Sequence, residues 1–188
     1  MSLGAIADAP QNVMEVGRPY NLPQERFLGS VTQPNFGGCC HPEMHLRSHG
    51  QADDAEPFGK VIGPCCFGGW LEVCADFNFR VSFFNSPASS TDIGEIIKKK
   101  PQGCAGMCRE LCTPADTFTI HFNEANMNNL APAQKLTVLS AQMLADYMFF
   151  DGNTDKCSQD DSTIHCNLFY CSIIGALIPC KLIIPKQN

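Results

Sequence analysis

The sequence predicts a mostly β domain built around one very apolar helix, and three observations carry that expectation. The segment DFNFRVSFF alternates cleanly, with Phe77, Phe79, Val81 and Phe83 facing one way and Asn78, Arg80 and Ser82 the other. Such a period of two is a strand with one buried face. Before it lies a series of short β-like runs separated by Gly, Pro and acidic turns. After it, APAQKLTVLSAQMLADYMFFDG has helical length and carries apolar residues on nearly every face.

Along the chain, residues 1–27 are punctuated by Pro and Asn and read as an extended N-terminal arm. FLGSVTQ, HLRS, GKVIG and WLEVC follow as short strands. After DFNFRVSFF, a loop over 85–90 containing Pro87 leads into a further strand, IGEIIKK. The basic run Lys98-Lys99-Lys100 reads as a solvated strand end, with an address signal or an anionic-lipid contact as alternatives. In CAGMCRELC, Cys104, Cys108 and Cys112 recur every fourth residue and share one stripe of a helix. Packing as small apolar residues is the first reading of that stripe, a soft metal or lipid modification the second.

The apolar helix begins at Pro132, suited to a first turn, and Gly152 stands where it would stop. A membrane span needs roughly 20 apolar residues, and this stretch is shorter and holds Gln142 and Asp146. A buried central helix is expected, with Leu136, Leu139, Met143, Asp146, Tyr147 and Phe150 as its characteristic residues. Residues 152–188 form a C-terminal extension. Leu168 to Ile184 is apolar apart from small polar residues and Lys181, interrupted by Pro179. Protein packing, interfacial membrane contact and a span all remain open for it.

Bulk composition excludes several classes. A chain of 188 residues suits one domain. A formal net charge of −6 gives no basic footprint, so no nucleic-acid partner is expected. The twelve cysteines, without a secretory signal at the N-terminus, are expected as reduced thiols in an intracellular setting, not as a disulfide framework of a secreted protein. No nucleophile elbow, phosphate-cradling loop or dinucleotide fingerprint occurs, so no enzyme is expected.

Four stretches together resemble the phospholipid scramblase family: LGSVTQ (28–33), IGPCC (62–66), RELCTPADTFTIHF (109–122) and KLTVLSAQMLADYMFFD (135–151). The last two are the specific ones, and the resemblance covers 28–151. It implies a tubby-like fold, an antiparallel β-barrel around a hydrophobic central helix. Family members carry about half of that barrel, and a palmitoylated cysteine cluster, ahead of the point where the match begins. Only a partial barrel, in the family's C-terminal half, is therefore expected from this chain, with a protein partner, an upstream segment or a large assembly completing it.

The resemblance also implies a function: lipid handling at a membrane, with phospholipids as partners. The alternative is a structural subunit of a larger complex, membrane-bound or mitochondrial, that keeps the fold without transport. In the family, the segment before the central helix is proposed as an EF-hand-like calcium loop. Ligand positions 1, 3, 5, 7, 9 and 12 fall here on Pro114, Asp116, Phe118, Ile120, Phe122 and Ala125. Asp116 is the single carboxylate, and Phe118, Ile120 and Phe122 alternate as a strand does, so calcium is not expected. Zinc is not expected either, although Cys39, Cys40, His41, His45 and His49 are grouped. Cys39, Cys40, Cys65 and Cys66 are candidate lipidation sites. An intracellular, membrane-associated location is expected, with the inner side of mitochondria as one setting.

Overall fold

The computed structural model describes residues 13–16, 28–48, 55–85, 92–113, 116–150 and 156–186. His49 and most of the 1–27 arm lie outside these. The framework is a seven-stranded antiparallel sheet made of β1 (Val13–Val16), β2 (Gly29–Thr32), β3 (Glu43–Ser48), β4 (Gly59–Ile62), β6 (Phe77–Phe83), β7 (Asp92–Lys98) and β8 (Phe118–Phe122). Each strand pairs with the next in that order, so the sheet is open, with β1 and β8 at its edges. It is a partial barrel, mostly β with a few helices. Within the expected arm, β1 is a strand of this sheet, paired Val13 to Thr32.

Alternation places the core as expected as far as Val81; beyond a register shift there, Ser82 is buried and Phe83 only half-buried, the reverse of the sequence reading. Phe77, Phe79 and Val81 are buried on β6 while Asn78 and Arg80 are exposed. With Val31, Met44, Leu46, Val61, Ile93 and Ile96 they form one apolar face. The apolar segment folds as α4 (Pro132–Phe149) and lies across β1, β2 and β3. Pro132 stands in its first turn, and Gln134 Oε1 accepts the Ala131 N–H at 2.9 Å. Its last turn is fixed by rings: Phe149 lies 5.2 Å from Phe67 and 6.0 Å from Phe79, and Phe150 lies 5.8 Å from both Phe67 and Phe118.

The helix is not sheathed on all sides, and this corrects the sequence reading. Its buried stripe is Thr137, Val138, Ser140, Ala141, Leu144, Ala145 and Phe149. Leu136, Leu139, Met143 and Tyr147, expected inside, are 43–69% exposed, Asp146 is half-buried, and Phe150 alone of the six is buried. The small stripe decides the orientation, because it lets α4 approach the sheet closely. A Cβ at Gly29 of β2 would sit 2.6 Å from Thr137 Oγ1. Thr137 and Ser140 satisfy their hydroxyls on the helix's own carbonyls, Ala133 at 3.0 Å and Leu136 at 3.1 Å.

Two further expectations change. WLEVC is not a strand: Leu71–Cys74 is a helical turn, α1. Gly68 and Gly69, at φ +77° and +61°, turn the chain ahead of it, and the turn carries Glu72 into the interior. The apolar tail is a β-hairpin of β10 (Thr163–Ile173) and β11 (Ala176–Pro185), flanked by the short strands β5 (Cys66–Phe67) and β9 (Cys157–Gln159). The cysteine-rich helix α2 (Gly103–Cys112) forms as expected, but Cys104 and Cys108 are exposed, so they do not pack as buried apolar residues; a single turn, α3 (Glu124–Met127), precedes α4.

The hairpin turn has a two-residue loop, Ile174-Gly175, with φ +53° and +77°. Positive φ at both positions is the type I′ geometry that favours Asn-Gly. A β-branched residue in this region is strained by roughly 1–2 kcal/mol. Ile174 is 56% exposed, so little burial is at stake. Ile174→Asn is expected to raise folding stability by about 1 kcal/mol, measured by urea denaturation. An unchanged or lowered midpoint would contradict the strain argument.

Candidate functional site

Asp116 is held by a buried lysine. Lys98 ends β7 at an inward position and is 1% exposed. Its Nζ lies 2.9 Å from Glu72 Oε2 and 3.2 Å from Asp116 Oδ1, and Lys156 Nζ reaches Glu72 Oε2 at 3.7 Å. Two cations thus face two carboxylates. The Phe150 ring lies 5.1 Å below the ammonium. Burial pushes the Glu72 carboxyl above the usual carboxylate range, while Lys98 and Lys156 pull it back. Among the described residues, Glu72 Oε1 accepts no hydrogen bond, consistent with burial prevailing.

This cluster corrects the reading of Lys98 as solvated. The signal was present in the sequence: Lys98 shares the parity of Ile96, which is buried on the same strand. Asp116 serves β7 and the approach to β8 as an ion-pair partner. Phe118 and Ile120 line up in β8 opposite Lys98 and Ile96. The histidines have separate partners: His41 Nδ1 lies 3.1 Å from the Gly63 carbonyl, and His45 Nε2 lies 2.9 Å from Glu43 Oε1. That contact lowers the Glu43 carboxyl below its ordinary range.

Lys99 and Lys100 do reach the surface. With Arg109 they line a cleft of about 550 Å³ between the end of β7 and α2, whose walls include Pro101, Ala105 and Thr117. Arg109 donates to Thr117 Oγ1 at 2.7 Å, and Lys99 Nζ lies 3.1 Å from Asp76 Oδ2.

Apolar surface is exposed in two places. On α4, Leu136, Leu139, Met143 and Tyr147 form an outward stripe at helical spacing. On the hairpin, Ile173, Ile174, Ile178, Leu182, Ile183 and Ile184 are each 43–57% exposed. Strand β11 is a sheet edge, exposed along nearly its whole length. No helix among the described residues is long and apolar enough to cross a membrane.

The candidate lipidation cysteines divide into two kinds. Cys39 and Cys40 are exposed in the turn that receives the hairpin tip, where the Ile174 N–H donates to the Cys39 carbonyl at 2.8 Å. Cys65 and Cys66 are half-buried, and Cys66 faces Cys171 of β10. The expectation of reduced thiols fails at one pair, since Cys157 and Cys166 are joined by a disulfide across β9 and β10. Adjacent strands bring them together, and spacing alone could not reveal that pairing.

In comparison with known proteins, the family model described as Scramblase matches residues 6–152. That range takes in β1 and ends just after α4, with the hairpin beyond it. No solved structure matches the chain.

Proposed function

The chain belongs to the Scramblase family, and from that premise we propose that it contacts phospholipids at a bilayer without covalent chemistry and without calcium held at Asp116. The observation that carries this reading is the C-terminal hairpin, which turns six large aliphatic side chains to the surface. Exposed aliphatic side chains in this number, on both faces of one edge hairpin, mark an interaction site. The cleft lined by Lys99, Lys100 and Arg109 adds a preference for anionic headgroups.

Vesicle flotation tests it. The chain is expected to float with phosphatidylserine-containing vesicles and less with phosphatidylcholine alone. Ile178→Glu combined with Ile183→Lys is expected to weaken binding at least tenfold. Each buried isoleucine contributes about 1.5–3 kcal/mol, and about 1.4 kcal/mol is tenfold. Both positions are exposed, so folding is spared. Fluorescent-lipid exchange in reconstituted liposomes is expected to proceed equally with and without calcium. Unchanged flotation of the double variant would overturn the hairpin assignment.

A second reading rests on a different observation. The sheet is open at β1 and β8, and the outer stripe of α4 is bare. A protein partner that completes the barrel would cover that stripe, making the chain a structural subunit of a larger complex. A chain that stays in the aqueous phase, but forms a stoichiometric complex lost on Leu139→Glu, would favour this reading over lipid contact.

A further inference from the structure

We propose that Cys66 and Cys171 form a second cross-strand disulfide, a covalent latch between the C-terminal hairpin and the body of the domain, closed by a small-molecule disulfide and opened by a small thiol. The two residues are direct register partners across β5 and β10, and their Sγ atoms lie 2.7 Å apart. Backbone hydrogen bonding supplies a second, independent argument. Beside the pair, the Ser172 N–H donates to the Cys65 carbonyl at 2.8 Å. A bond from the residue after one partner to the residue before the other marks a non-hydrogen-bonded antiparallel pair, the kind whose side chains come closest.

The disulfide already on β10 has the same backbone frame. Beside Cys157 and Cys166, the Asn167 N–H donates to the Lys156 carbonyl at 2.8 Å, and the two Cα atoms are 4.2 Å apart. The same strand therefore presents two cysteine pairs in one geometry, of which one is bridged.

The latch has something to hold. Strands β5 and β10 share two residue pairs. Beyond these, the Trp70 N–H donates to the Asn167 carbonyl at 3.0 Å and the hairpin tip bonds to Cys39. A bond spanning 105 residues would constrain the unfolded chain strongly. Cys65, Cys66 and Cys171 are each partly exposed, so a small oxidant reaches them.

The step balances by thiol–disulfide exchange. One protein thiolate attacks the oxidant disulfide, forming a mixed disulfide and releasing one small thiolate. The second protein thiolate then attacks the protein-bound sulfur and releases the other. The protein loses two electrons and two protons, and the oxidant becomes two thiols. The Cys171 contact and burial push the Cys66 thiol up to about 12, which makes Cys66 slow to attack a disulfide at neutral pH. The latch stands apart from the lipid reading and does not depend on it.

The test uses the full wild-type chain, treated with either dithiothreitol or oxidised glutathione, then alkylated and digested without reduction. A linked peptide joining Cys66 to Cys171 is expected after oxidation and absent after reduction. The thermal midpoint is expected to rise by about 10 °C on oxidation, and by much less in Cys171→Ser. A Cys65–Cys66 link, glutathione adducts on both residues, or free Cys66 and Cys171 after oxidation would overturn the proposal. The peptide map reads the wild-type chain, so it decides the matter even if Cys171→Ser fails to fold.

Discussion

Lys98→Ala is expected to cost about 3–5 kcal/mol of folding stability, the range for removing one partner of a buried ion pair. The loss comes less from the bond itself than from what remains. Glu72, whose side chain is 4% exposed, would be left with only Lys156 at 3.7 Å, and Asp116 would lose its 3.2 Å contact. A double variant, Lys98→Met with Glu72→Met, removes both charges and is expected to recover at least about 2 kcal/mol relative to the sum of the single changes. Urea denaturation of the four proteins measures the coupling. Strict additivity would mean that the two side chains do not sense each other, contrary to their 2.9 Å separation.

The same cluster gives stability a pH dependence of defined sign. Burial raises the Glu72 carboxyl above its ordinary value of 4.5, so the folded state binds that proton more tightly than the unfolded state does. The Glu72 contribution is therefore complete below pH 4.5 and declines as pH rises from there through the folded-state value. Glu72→Gln removes this dependence, and the stability of wild type minus that of the variant is expected to fall as pH rises above 4.5. A difference that grows over this window would show that Lys98 and Lys156 outweigh burial.

Phe79→Ala is the second large loss, about 3–5 kcal/mol. Phe79 is fully buried, stacked on Phe149 at 6.0 Å and 14° and packed near Phe67 and Phe150. Removing the ring opens a cavity where β6 meets the last turn of α4. Neighbouring aromatic rings are too rigid to fill it. For a chain of this length the midpoint is expected to drop by about 10 °C. Phe79→Leu keeps most of the volume and is expected to cost roughly half or less. Equal losses for the two would mean that ring geometry, not volume, holds the junction.

Part of the architecture was legible one residue at a time. Alternation in DFNFRVSFF reports which β6 side chains are buried as far as the register shift after Val81, and the same alternation identifies Phe118–Phe122 as a strand where the family is proposed to place a calcium loop. The length and caps of the apolar segment locate α4. The Scramblase motifs named the family. By contrast, WLEVC is a stretch of five residues, too short to separate strand from helix by period. Its helical turn is explained by Glu72 reaching Lys98, 26 residues away.

What the sequence determined by itself is therefore the local layer: strands, the helix and the family, because side-chain direction repeats with the backbone and each repeat is written in adjacent residues. The tertiary structure decided which face of α4 meets the sheet, since close approach selects Thr137, Ala141 and Ala145 over the larger residues beside them. It also decided that Lys98 is interior, that the apolar tail is a hairpin, and that Cys66 meets Cys171. Those outcomes depend on contacts between segments far apart in the chain, and local periodicity carries no record of which distant segment a face will meet.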